Sequence, residues 1–198
     1  MNVADPVVSV VPSLHGPVLA VLARTSGPLR QADVHRLAAA GSYSGVRKVL
    51  LQLVDHGVVE EVPGGFRLNR DHIAADAIVQ LASLHGVLAE RLRGWAAGHS
   101  DVEFVGLFGS IARRDGDETS DIDVLVLADL PAENRSKLRD ELTDLLVRWT
   151  GNDGHVHVLD RGAVARLVDE QAPIIESWAD ELQPVVGQPP PLLVAVHP

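Results

Sequence analysis

The N-terminal third of the chain is patterned for helices and the C-terminal half for alternating strands and helices. In residues 13–24 (SLHGPVLAVLAR), Leu14, Val18, Leu19 and Leu22 recur at a helical step, and Ser26-Gly27-Pro28 breaks it. A second short helix is expected over residues 31–40, with Val34, Leu37 and Ala38 on one side. A third runs to about His56: Val46, Val49, Leu50, Leu53 and Val54 form its apolar stripe, Ser42 or Ser44 caps its start, and Gly57 ends it. Residues 58–62 and 65–68 read as two short strands turned by Pro63-Gly64-Gly65. Residues 69–98 carry Ile73, Ala77, Leu81, Leu84, Leu88 and Leu92 at three-to-four-residue steps and predict one long amphipathic helix.

Beyond it the pattern predicts strands over 102–108, 122–127 and 155–159. Helices are predicted over 134–149, with Leu138, Leu142, Leu145 and Leu146 aligned, and over 163–168 and 174–182. The tail Gln188-Pro189-Pro190-Pro191 predicts a non-helical segment, extended or disordered. The expected organisation is an N-terminal domain over 1–70, a linker helix over 71–99, an α+β domain over 100–187 and a Pro-rich tail over 188–198.

Composition narrows the partners. The 198 residues hold no cysteine, which removes disulfides and cysteine-ligated metals. No apolar run reaches the roughly 18 residues of a membrane span, and the first residues lack a basic leader, so a cytoplasmic protein without membrane contact is expected. Charge is divided unevenly: residues 1–70 hold seven Lys/Arg against five Asp/Glu, and residues 71–198 hold ten against twenty-two. Only the N-terminal third is suited to approach a phosphate backbone; the acidic remainder needs cations to approach a polyphosphate.

The stretch with chemistry runs from Phe104 to Leu127. Gly109 lacks a side chain, so a phosphate can approach its backbone, and Ser110 offers a hydroxyl and an N–H at the start of a helical turn. Asp121 and Asp123 are two apart on a strand and point to one face, where two carboxylates repel unless a cation lies between them. Such hard oxygen ligands suit Mg²⁺ shared with triphosphate oxygens. Ile122, Val124 and Val126 face the other way, into the core.

Gly109-Ser110, Arg113 and Ser120-Asp121-Ile122-Asp123, with eleven residues from Ser110 to Asp121, resemble the signature of the minimal nucleotidyltransferases of the polymerase-β superfamily. The resemblance covers about residues 102–187. It implies transfer of a nucleoside monophosphate from a triphosphate, with ATP the expected donor, to an acceptor, with two Mg²⁺ or Mn²⁺ ions clamping the attacking and leaving oxygens. Arg113 or Arg114 would contact phosphate, and Gly109, Ser110 and Ser120 would line the nucleotide site. Aminoglycosides and toxin proteins are acceptors or partners in such families. The family also places a third carboxylate on a later strand. The matching segment here is Val156-His157-Val158-Leu159, with His157 at the carboxylate position, His155 alternating onto the same face, Asp153 before the strand and Asp160 after it. The replacement leaves two readings open: an active enzyme using His157 as ligand or base, or a site that binds nucleotide without efficient transfer.

Three helices followed by a hairpin give the N-terminal domain a looser resemblance to winged helix-turn-helix regulators. Ser42, Tyr43, Ser44, Arg47 and Lys48 begin the expected recognition helix, and Arg67 and Arg70 fall where a wing meets duplex DNA, though Glu60 and Glu61 oppose it. The fold class expected is therefore α+β, with a winged helix, a linker helix and a polymerase-β-like domain built on a mixed sheet. The expected partners are a nucleotide, duplex DNA, a protein acceptor or toxin, and a second copy of the chain. The alternatives to an enzyme are a DNA-binding regulator that senses nucleotide and an antitoxin-like partner protein.

Overall fold

The computed structural model describes residues 1–3, 5–113 and 115–194. The chain divides into two compact units, one holding Asn2 and residues 4–85, the other Met1, Val3 and residues 86–198.

The N-terminal unit contains α1 (Pro6–Val10), α2 (His15–Ala23), α3 (Gln31–Ala38), α4 (Tyr43–Asp55), the strands β1 (Val59–Val62) and β2 (Gly65–Leu68), and α5 (Ala75–Ala82). Ser42 caps α4 by accepting the Gly45 N–H at 3.1 Å, and Gly57, at φ 72°, follows the helix in the left-handed conformation expected of it. β1 and β2 pair antiparallel with Val62 opposite Gly65 across the Pro63-Gly64 turn. Val18, Leu22, Val34, Val46, Leu50, Val59, Phe66 and Leu68 close the core of this unit.

The single helix expected over 69–98 is two helices, α5 and α6 (Leu84–Ala97). Asn69 accepts the Asp71 N–H through its side chain and gives its own amide to the Gly57 carbonyl, so residues 69–74 form a turn and not the first coils of a helix. Ile73, counted on the apolar stripe, is 97% exposed. Ser83 ends α5 by donating its hydroxyl to the carbonyls of Val79 and Gln80.

The C-terminal unit continues with β3 (Val102–Phe108), α7 (Gly109–Arg113), β4 (Ile122–Ala128), α8 (Ala132–Thr150), β5 (Gly154–Leu159), α9 (Arg161–Asp169), α10 (Ile174–Glu181), β6 (Gln183–Val186) and α11 (Pro191–Val194). Its sheet has the order β5-β4-β3-β6 and is mixed: β4 and β5 are parallel across the α8 crossover, and β3 is antiparallel to both of its neighbours. One face buries Ile122, Val124, Val126, Val156 and Val158 with Leu88 and Leu92 of α6 and Leu138, Leu142 and Leu146 of α8. The other face buries Phe104, Phe108, Leu125 and Leu127 with Val164 of α9 and Ile175 and Trp178 of α10. β6, α1 and α11 are additions to the pattern. Pro184 is tolerated in β6 because β6 is an edge strand. Pro191 opens α11, the helical position where a missing N–H does no harm, which corrects the expectation of a non-helical tail; residues 195–198 lie outside the described residues. No helix among the described residues is long and apolar enough to cross a membrane.

Candidate functional site

The end of β3 and the starts of β4 and β5 come together at one edge of the sheet. Phe108 pairs with Asp123, and Asp123 pairs with His155. The chain leaves β3 through Gly109 at φ 67°, and a β-carbon there would lie 2.2 Å from Asp123 Oδ2. Gly109 is thus required twice, for its backbone conformation and for the close approach of the turn to a carboxylate. Asp121 and Asp123 sit on either side of the fully buried Ile122, on the opposite face from it, as their spacing requires.

The loop between Ser110 and Asp121 closes on itself. Asp117 accepts from the Thr119 N–H and from the hydroxyls of Thr119 and Ser120, while Ser120 Oγ accepts the Asp117 N–H at 2.9 Å. Ser120 therefore shapes the loop. Gly116 lies over Ser110: a β-carbon on it would be 2.8 Å from Ser110 Oγ. Beneath the loop, buried Asn152 donates its amide to the carbonyls of Glu118 and Ser120 and so fixes the residue before Asp121. Arg113 pairs with Asp115 at 3.0 Å and with Glu181 at 2.7 Å. Arg114 lies outside the described residues.

On β5 the residue beside the carboxylates is His155, with Nδ1 3.8 Å from Asp121 Oδ2 and 3.7 Å from Asp123 Oδ1. His157, expected there, pairs in register with Leu125 and packs against Phe108 at 5.9 Å and Trp178 at 5.8 Å between ring centres. Burial in that aromatic surround, and secondarily the neighbouring His155, hold its pKa below the usual histidine value. Asp160 caps α9 by accepting the Ala163 N–H at 2.6 Å and pairs with Arg135, away from the carboxylate pair.

Burial raises the Asp123 carboxyl above its usual range; Asp121 and Glu181 add to the effect, and His155 and Arg113 oppose it. Two carboxylates on one face, beside one imidazole, are suited to a cation. Among the described residues no group of three or more His, Cys, Asp or Glu side chains could hold a metal by itself. The donor set fits Mg²⁺ or Mn²⁺ only in the shared manner, with phosphate oxygens and water completing the shell.

Ser42, which caps α4, and Tyr43, Ser44, Arg47 and Lys48 on its first turns are exposed. Arg47 reaches Gln31 Oε1 at 3.2 Å, and Tyr43 meets His35 edge to face. Arg67 is paired with Glu60 at 2.7 Å. Arg70 donates to the carbonyls of Ala23 and Thr25 and so serves the fold of this unit.

Residues 90–157, from α6 through His157, match the protein family described as Polymerase beta, Nucleotidyltransferase, so this segment is nucleotidyltransferase-like. No curated protein matches the chain. Among solved structures, similarity is found to a chain of a tri-AMPylated Shewanella oneidensis HEPN toxin in complex with MNT antitoxin, at 18% identity and TM-score 0.36, covering 52% of this chain and 73% of that one. A chain of a toxin–antitoxin with AMP-PNP is similar at 20% identity and TM-score 0.35, with the same coverage of both chains.

Proposed function

We propose that the C-terminal unit binds a nucleoside triphosphate with Mg²⁺ or Mn²⁺ at Asp121 and Asp123 and transfers its nucleoside monophosphate to a hydroxyl or other acceptor, breaking the bond between the α- and β-phosphates and releasing pyrophosphate. The observation that carries this reading is the meeting of Gly109, Asp121, Asp123 and His155 at one sheet edge, within a segment that matches nucleotidyltransferases. The metal supplies charge neutralisation between the carboxylates and the phosphates. Asp121 and Asp123 hold it, Gly109 leaves room for a phosphate to approach the backbone, and the Ser110 hydroxyl offers a donor beside it. The third-carboxylate position of the resemblance falls on His157, and the β5 side chain standing beside Asp121 and Asp123 is His155, so neither supplies a carboxylate. An imidazole in place of a carboxylate leaves binding possible and transfer slow, because general-base assistance is worth about a hundred- to ten-thousand-fold in rate. Calorimetric titration of ATP with Mg²⁺ is the test: binding to the wild-type chain and its loss in Asp121→Ala/Asp123→Ala support the reading, and equal affinity removes it.

A second reading concerns the N-terminal unit, a winged-helix-type module that binds duplex DNA. It is favoured by the exposed Ser42 at the cap and Tyr43, Ser44, Arg47 and Lys48 on the first turns of α4, just after α3 and ahead of a hairpin. Arg47→Ala/Lys48→Ala in the full chain should weaken duplex binding and flatten its salt dependence by about one log unit per lost phosphate contact. Unchanged binding and an unchanged slope contradict it.

A further inference from the structure

Three donors from separate parts of the C-terminal unit converge on one carboxylate. The Gly109 N–H donates to Glu181 Oε2 at 3.0 Å, the Ser177 hydroxyl donates to the same oxygen at 3.1 Å, and Arg113 Nη1 stands 2.7 Å from Oε1. Glu181 is the last residue of α10, and Leu182 turns into extended chain toward β6, so the carboxylate is delivered by a helix end. The turn it binds is the one whose Gly109 approaches Asp123 Oδ2. A backbone N–H, a hydroxyl and a guanidinium directed at two oxygens of one anion form a donor set suited to a phosphate. Asp115 holds Arg113 from the other side at 3.0 Å, so this guanidinium stays near the turn if Glu181 departs.

We propose that Glu181 is an internal competitor: its carboxylate occupies the place of a phosphate group of the incoming polyphosphate, which must displace it from Gly109, Ser177 and Arg113 in order to bind. The inference rests on the reading of this site as one for a nucleoside triphosphate. The competitor keeps the donors satisfied in the absence of ligand and places a third negative charge near Asp121 and Asp123. Ligand binding and release of the α10 end are then the same event. A polyphosphate both replaces the carboxylate on its donors and brings the cation that the carboxylate pair requires. Glu181→Gln keeps the shape and removes the charge; Ser177→Ala removes one donor to Glu181 and leaves its charge.

The test is calorimetric titration of the full chain and both variants with inorganic tripolyphosphate without metal, and separately with ATP and Mg²⁺. Glu181→Gln should bind both probes about tenfold more tightly than wild type, as expected for loss of a hydrogen-bonded charged competitor, and Ser177→Ala, which takes the same donor from the carboxylate and from the phosphate, should stay within about twofold of wild type. Equal affinity for wild type and Glu181→Gln overturns the competitor while leaving the triphosphate reading intact. Weaker ATP binding to Glu181→Gln, the sign expected if Glu181 ligated the metal, also overturns it. Tighter tripolyphosphate binding with no binding of ATP and Mg²⁺ by any variant upholds the competitor and removes the triphosphate reading. Absence of binding for both probes in all three proteins overturns both.

Discussion

Gly109→Ala tests the closeness of the β3–α7 turn to the Asp123 carboxylate. The substitution acts in two ways that can be separated. Alanine at φ 67° carries a left-handed penalty of about 1–2 kcal/mol wherever it occurs. Its β-carbon would also lie 2.2 Å from Asp123 Oδ2, so the Asp123 side chain must rotate away, at about 0.5–1.5 kcal/mol for an unfavourable rotamer. Together these predict a loss of about 2–3 kcal/mol, or a fall in Tm of about 5–10 °C for a chain of this size. In an Asp123→Ala background the second contribution disappears, because the atoms that would clash are gone. A double-mutant cycle by denaturant unfolding should therefore give a coupling of about 1 kcal/mol between positions 109 and 123. Additive effects, or a Gly109→Ala protein as stable as wild type, would refute the placement of the turn against Asp123.

The two histidines of β5 should separate. His157→Ala should lower stability by about 0.5–1.5 kcal/mol through lost aromatic packing with Phe108 and Trp178 while leaving ATP affinity within about twofold. His155→Ala should leave stability nearly unchanged and weaken ATP–Mg²⁺ binding about three- to tenfold; the opposite assignment in paired melting and titration experiments would overturn the β5 register. Stability should also respond to pH through Asp123. Its carboxyl is raised, so the folded state holds the proton more tightly than the unfolded state. The favourable contribution is complete below the ordinary aspartate value of about 3.9 and is lost as pH rises through the raised one. Asp123→Asn should accordingly exceed wild type in stability at pH 7.5 and converge with it below about pH 4, measured by urea unfolding at both values. A wild-type advantage at pH 7.5 would contradict the sign.

What was legible in the sequence was local. Gly109, Ser110, Asp121 and Asp123 lie within fifteen residues, and the two-residue period of a strand places both carboxylates on one face without any knowledge of the fold. The partner on β5 was not legible. β5 pairs in parallel with β4 only after the nineteen residues of α8, and moving from His157 to His155 keeps the same face while changing the neighbour by two positions. Periodicity cannot distinguish the two. Glu181 and Asn152 reach the site from distant parts of the chain with no surrounding motif. β6 was hidden because Pro184 reads as a breaker unless the strand is known to be an edge. The break at Ser83 depends on a hydroxyl choosing the carbonyls of its own helix, an option the apolar stripe does not record.

The central claim, that the β4 carboxylate pair holds a metal-bound nucleotide, is met most directly by a crystal structure with a non-hydrolysable ATP analogue and Mn²⁺, the ion located by its anomalous signal. The account predicts Mn²⁺ between Asp121, Asp123 and the phosphate oxygens, with His155 beside it and a phosphate at the Gly109 turn. Nucleotide or Mn²⁺ bound elsewhere, with Asp121 and Asp123 left unligated at saturating concentrations, would contradict it.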